Sequence, residues 1–96
     1  MEFTSPLWEH HGEGAWVFVT VPADVSEEVR LLAGEPRGFG SVRVEVEVGA
    51  TTWRTSVFPD AASGCFVLPV KKAVRRAEDV EVGEPVTVRL RVLGSG

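Results

Sequence analysis

The chain has 96 residues, 44% apolar and 25% charged, and its 14 acidic and ten basic side chains leave a net charge of −4. That length allows one small domain around one core, spanning residues 1–96, and the composition is that of a globular chain rather than a disordered one. No apolar run reaches the ~20 residues a bilayer helix needs, a lone Cys65 excludes an internal disulfide, and the acidic balance disfavours passive binding to nucleic acid or anionic membrane.

In chain order, Met1–Trp8 offers Phe3, Leu7 and Trp8 for a first strand, and Pro6 predicts an edge position because proline cannot donate to a ladder. Met1-Glu2-Phe3-Thr4 carries neither the basic region nor the apolar stretch of a signal segment, which with the unpaired cysteine predicts a cytoplasmic address. Glu9-His10-His11-Gly12-Glu13-Gly14 reads as a polar turn. Residues 15–21 are apolar on both faces, which predicts a well-covered strand. Asp24 with Glu27 three positions later predicts a capping box at the head of a helix over residues 24–33. Val25, Val29 and Leu32 share one face of that helix, and Gly34 followed by Pro36 stops it.

Residues 41–48 alternate, with Val42, Val44, Val46 and Val48 inward and Arg43, Glu45 and Glu47 outward, the pattern of a half-buried antiparallel strand. Gly49-Ala50 turns the chain into a second strand over residues 51–58, predicting a hairpin. A loop over 59–64 leads to a short strand over 65–69. The spacing predicts a second helix over 70–78, with Val70, Ala73, Val74 and Ala77 on one face and Lys71, Lys72, Arg75 and Arg76 on the other. A last strand then alternates Val86, Val88, Leu90 and Val92 with Thr87, Arg89 and Arg91, and residues 93–96 read as a frayed end.

This order holds a repeat. Val17-Phe18-Val19-Thr20-Val21-Pro22, a helix and an alternating valine strand are followed by Phe66-Val67-Leu68-Pro69, a helix and another such strand, with Pro22 and Pro69 lying 47 positions apart. Two equivalent units of this kind bury their faces on each other. Six or seven short strands in one flat sheet would expose polar edges, whereas closure into a barrel removes them. The expected fold is mainly β: a small pseudo-two-fold barrel with two short helices.

Three blocks carry a family resemblance. They are Gly14-Ala15-Trp16-Val17-Phe18-Val19 with Val21-Pro22; Trp53-Arg54-Thr55-Ser56-Val57-Phe58-Pro59; and Gly64 to Arg75 followed by Val82-Gly83-Glu84-Pro85-Val86-Thr87-Val88. Together they resemble the domain-of-unknown-function 1905 family across nearly the whole chain. The resemblance implies a double-split β-barrel, the fold of AbrB-type regulators and antitoxins, with both halves fused in one chain. Glu84-Pro85 departs from the regulator pattern, which has Asp after the glycine and no proline next. No activity is implied.

Two candidate contact surfaces stand out. Lys71, Lys72, Arg75 and Arg76 place four cations within six residues, suited to an anion, a phosphate backbone or an acidic partner; the plain alternative is a solvated helix face. In the strand over 51–58, Arg54 and Ser56 share a face and could grip a carboxylate or phosphate at the barrel mouth, with Trp53 and Trp16 beside them as ligand-binding residues. The alternative is an Arg54 that pairs with Glu45 or Glu47 across the hairpin. Trp8, Trp16 and Trp53 could line a pocket or fill the core.

Other signals carry less. Arg37-Gly38-Phe39-Gly40-Ser41-Val42-Arg43-Val44 approximates an RNA-recognition octamer but has Ser41 and Val44 where stacking rings belong, and lacks the preceding strand. Cys65, His10 and His11 make neither a catalytic set nor a zinc set, so no catalytic residue, metal ligand or cofactor is assigned. Asp60 reads as a turn former. The expected role is a binding module for an anionic small molecule or protein partner, monomeric or weakly dimeric. The alternatives are a DNA-binding regulator using residues 71–76 and a small-molecule enzyme with an Arg54-lined pocket.

Overall fold

Alternating branched aliphatic and charged residues set the walls of this fold. The computed structural model describes residues 1–12, 14–36 and 38–95; Glu13 of the anticipated turn, Arg37 of the octamer-like stretch and Gly96 lie outside the described residues. Its elements are β1 (Glu2–Gly12), β2 (Gly14–Thr20), α1 (Ala23–Ala33), β3 (Val42–Val48), β4 (Thr51–Pro59), β5 (Phe66–Pro69), α2 (Lys72–Ala77) and β6 (Pro85–Ser95). The six strands close a barrel in the order β1-β2-β5-β4-β3-β6, with every adjacent pair antiparallel.

The anticipated two-fold is written in this order. Exchanging β1 with β4, β2 with β5 and β3 with β6 leaves every neighbour relation unchanged. Thr20 pairs with Val67, its own equivalent 47 positions later, and Val46 pairs with Leu90, 44 positions later. The shift shrinks by three across the segment that holds the helices, α2 being the shorter with six residues against 11 in α1. Both split strands are present too. β1 gives its first half to β6 and its second to β2, while β4 pairs with β3 and then β5.

Closure corrects the edge position expected from Pro6, since β1 has a neighbour on each side. Pro6 lies opposite Pro85 at the end of the β1–β6 ladder, where the chain is changing partner and a missing N–H costs least. The polar stretch after Trp8 is strand as far as Gly12, and the end expected to fray continues to Ser95, which faces Val42. Inside, Val42, Val44, Val46 and Val48 meet Val86, Val88 and Leu90, with Leu7, Val19, Val57 and Leu68 completing the core.

Each helix lies over one end of the barrel, because each follows an antiparallel neighbour of the β2–β5 seam. α1 buries Val25, Ser26 and Val29, but Leu32 is 59% exposed, since the helix overruns the rim. The expected capping box is absent. Pro22 occupies the N-cap without a side-chain bond, and Glu27 instead pairs with Arg30 at 3.4 Å. α2 starts later than expected and buries only Val74; Ala73 and Ala77 are exposed, and Val70 reaches the core from just before the helix. Glu78 ties this end down, accepting from the Thr51 hydroxyl at 2.6 Å.

Candidate functional site

The cations divide into two groups with opposite surroundings. On the outer wall formed by β1, β6, β3 and β4, antiparallel register sets Glu45 opposite both Arg54 and Arg91, and Arg89 opposite both Glu2 and Glu47. Arg91 Nη2 donates to Glu45 at 3.0 Å and Arg54 Nε at 3.3 Å; Arg89 donates to Glu2 at 3.0 Å and to Glu47 at 3.4 Å. The bond from Arg91, then that from Arg54, holds the Glu45 carboxyl below its ordinary value of 4.5. The wall is largely neutralised.

Arg54 is therefore placed as the cross-hairpin alternative described. Ser56 lies on the same outer surface opposite Arg43, while Trp53 faces inward beside Val46 and packs against the core. Its indole N–H is buried without a hydrogen-bond partner among the described residues. None of Trp53, Arg54 and Ser56 lines the hollows described below.

The second group sits on α2. None of the ion pairs among the described residues engages Lys71, Lys72, Arg75 or Arg76. Lys71 and Lys72 are exposed, and the half-buried Arg75 is held by its Nε donating to the Val70 carbonyl at 3.2 Å. The Val70 N–H in turn donates to the Val17 carbonyl at 2.9 Å, which fastens the entry to α2 against β2. This junction carries a hollow of about 450 Å³ lined by Glu9, Trp16, Val17, Pro69, Val70, Lys71, Lys72 and Arg75. Two groups named separately from the sequence, Trp16 and the basic residues, are thus brought to one place 55 positions apart in the chain.

Trp16 is 56% exposed, which corrects the expectation that β2 is well covered on both faces. Val17 and Val19 do point into the core, but Trp16, Phe18 and Thr20 point out. There they form a row with β1: Trp8 lies 5.1 Å from Phe18, and Trp16 stacks on Phe18 at 6.2 Å with 15° between the planes. Trp8 also donates its indole N–H to the Thr20 hydroxyl at 2.9 Å. Trp16 is thus stacked on Phe18, more than half exposed, and borders the same hollow as the cations.

The sequence did not single out the row or a second hollow of about 270 Å³. That hollow is lined by Arg30, Pro36, Pro59 and Phe66 among others, at the α1 end. The readable signal for the row was Trp16 and Phe18 at spacing two, obscured by the inward valines between them. His10 and His11 flank the Trp16 end of the barrel, whereas the half-buried Cys65 precedes β5 at the α1 end, so they do not form a set. Among the described residues no cluster of three His, Cys, Asp or Glu is placed to hold a metal ion. No helix of the described residues is long and apolar enough to cross a membrane.

No curated protein matches this chain. The model of the domain of unknown function DUF1905 matches residues 3–90, nearly the whole chain, and the chain belongs to that family.

Proposed function

We propose that this protein is a binding module that takes an anionic ligand in the hollow between Trp16 and the α2 turn. One observation carries the reading: Lys71, Lys72 and Arg75 line one hollow with no ion-pair partner among the described residues, while Arg54, Arg89 and Arg91, three of the four arginines of the opposite wall, are paired. These charges lie well within a Debye length of one another, about 10 Å at 0.1 M salt, so their fields add locally despite a net charge of −4. The volume of about 450 Å³ falls in the range of small-molecule sites. A reducing, cytoplasmic setting fits the single thiol.

Two other readings have less support. Duplex DNA held by Lys71, Lys72, Arg75 and Arg76 would need that patch to continue into Arg43, Arg89 or Arg91. Arg89 and Arg91 are committed to carboxylates, on a seam across the barrel from β2–β5. An enzyme pocket at Arg54 would need a concavity there, and Arg54 lies on the paired outer wall.

Calorimetric titration of the full chain with tripolyphosphate at low ionic strength tests the proposal. The expected result is saturable binding that weakens with salt and is lost in Lys71→Glu/Lys72→Glu but kept in Arg54→Ala. No heat at low salt, or equal affinity in the double variant, would overturn it.

A further inference from the structure

We infer that the ligand of this hollow carries a planar base next to its phosphate: a nucleotide, free or within single-stranded nucleic acid. The inference rests on the anion-binding reading and adds a substrate class to it. A tryptophan that is 56% exposed, followed by residues 17–20 that are buried or half-buried, is a large apolar surface left in water. Its lower face is already stacked on Phe18, and Trp8 supports Phe18 from the far side at 5.1 Å. The indole is therefore braced by Phe18, and more than half of its surface remains exposed along the hollow. A base stacks on such a face whatever its identity, because every base has a π-surface.

The rest of the hollow suits the same molecule. Lys71, Lys72 and Arg75 stand beside the platform where a phosphate attached to a stacked nucleoside would fall. Glu9 lines the hollow as well, and its carboxylate has nothing to accept from on an inorganic polyphosphate. It is instead an acceptor for the exocyclic amine or ribose hydroxyls of a nucleoside. A neutral sugar would use the ring and leave three cations idle; inorganic phosphate would use the cations and leave the ring idle. Trp16 is the one aromatic ring among the residues that line the hollow, so one base is read per site.

Adenosine triphosphate and tripolyphosphate have the same number of phosphates, and the base distinguishes them. Titrating the full chain with each in metal-free buffer should give tighter binding of the nucleotide by about 5- to 150-fold, the worth of one base stacked on an aromatic side chain. Trp16→Ala should abolish that advantage, read as the ratio of the two affinities within the same variant, and Trp16→Phe should restore part of it. Hexadeoxyadenylate binding more tightly than the triphosphate at equal salt would assign the source as a single strand; the reverse order would assign a free nucleotide. Equal affinity for nucleotide and tripolyphosphate, or an advantage that survives in Trp16→Ala, overturns the inference and leaves the anion site standing. Nucleotide binding without any tripolyphosphate binding would end the anion reading and, with it, the placing of the nucleotide's phosphate on these cations.

Discussion

Removing one hydroxyl should loosen α1 from the barrel. Ser26 is fully buried. Its hydroxyl donates to the Val21 carbonyl at 2.8 Å and accepts from the Phe66 N–H at 3.0 Å, so one atom joins the end of β2, the first turn of α1 and the start of β5. Ser26→Ala leaves both backbone groups without that partner in a place water does not reach. Each stranded group costs about 1–3 kcal/mol, less for a carbonyl with a second lone pair, which puts the loss at about 2–4 kcal/mol. Alanine's better helix propensity works against the loss by a few tenths, so the effect is not a helix-propensity artefact. A domain of this size holds roughly 5–14 kcal/mol in all. In urea the midpoint should fall by about 1–3 M with an unchanged slope, and the Phe66 amide should exchange faster. Glu28→Ala on the exposed face of the same helix is the control, expected within about 0.5 kcal/mol of the parent. A Ser26→Ala midpoint equal to that of Glu28→Ala would refute the reasoning.

Two further outcomes follow from the turns and the outer wall. Gly49 has φ of 56°, and a Cβ there would run into the Glu78 carboxylate that holds Thr51; Gly49→Ala should lose about 1–2 kcal/mol for the left-handed backbone alone, plus the displaced Glu78 contact, read as a lower urea midpoint. Glu45 has its folded pKa lowered below 4.5, first by the bond from Arg91 and then by that from Arg54. Its contribution is therefore fully present above that ordinary value and disappears as pH falls through the lowered one. Glu45→Gln should be less stable than the parent at neutral pH, with the gap closing in acid; a gap constant from pH 7 down to pH 2 would contradict this.

The walls of the barrel were legible because β3 and residues 86–92 of β6 alternate strictly, and a period of two can be satisfied only by one face in and one out. The repeat was legible for the same reason. The helices were read too generously. A helix laid over a barrel mouth touches the core for a single turn, so Leu32, Ala73 and Ala77 share an apolar face in sequence and still meet solvent. β2 misled in the opposite direction: apolar residues on both faces signal cover in a sheet packed on two sides, but a barrel wall has an outside, and here Trp16 stands on it. Neither half of the candidate site could be joined to the other from sequence, because the bond from Val70 N–H to the Val17 carbonyl that joins them is a backbone contact with no side-chain signature.

The two-fold also separates what the fold needs from what it merely carries. The spacing of 47 that relates Pro22 to Pro69 and Thr20 to Val67 sets Trp16 against Ser63, and past the prolines α1 opens with Asp24, Glu27 and Glu28 where the chain entering and forming α2 carries Lys71, Lys72, Arg75 and Arg76. The α1 end of the barrel thus closes with acidic residues on the first turns of its helix where the α2 end has cations, and with a small loop residue where the other end has an exposed indole. Both ends complete the same strand graph and bury the same kind of aliphatic face. Closure of the barrel therefore requires neither the positive charge nor the ring. A like-charged turn and a solvent-facing tryptophan each cost stability. Their coincidence in one hollow, at only one of two equivalent ends, is the asymmetry expected where one copy of a duplicated scaffold has been adapted to hold a ligand.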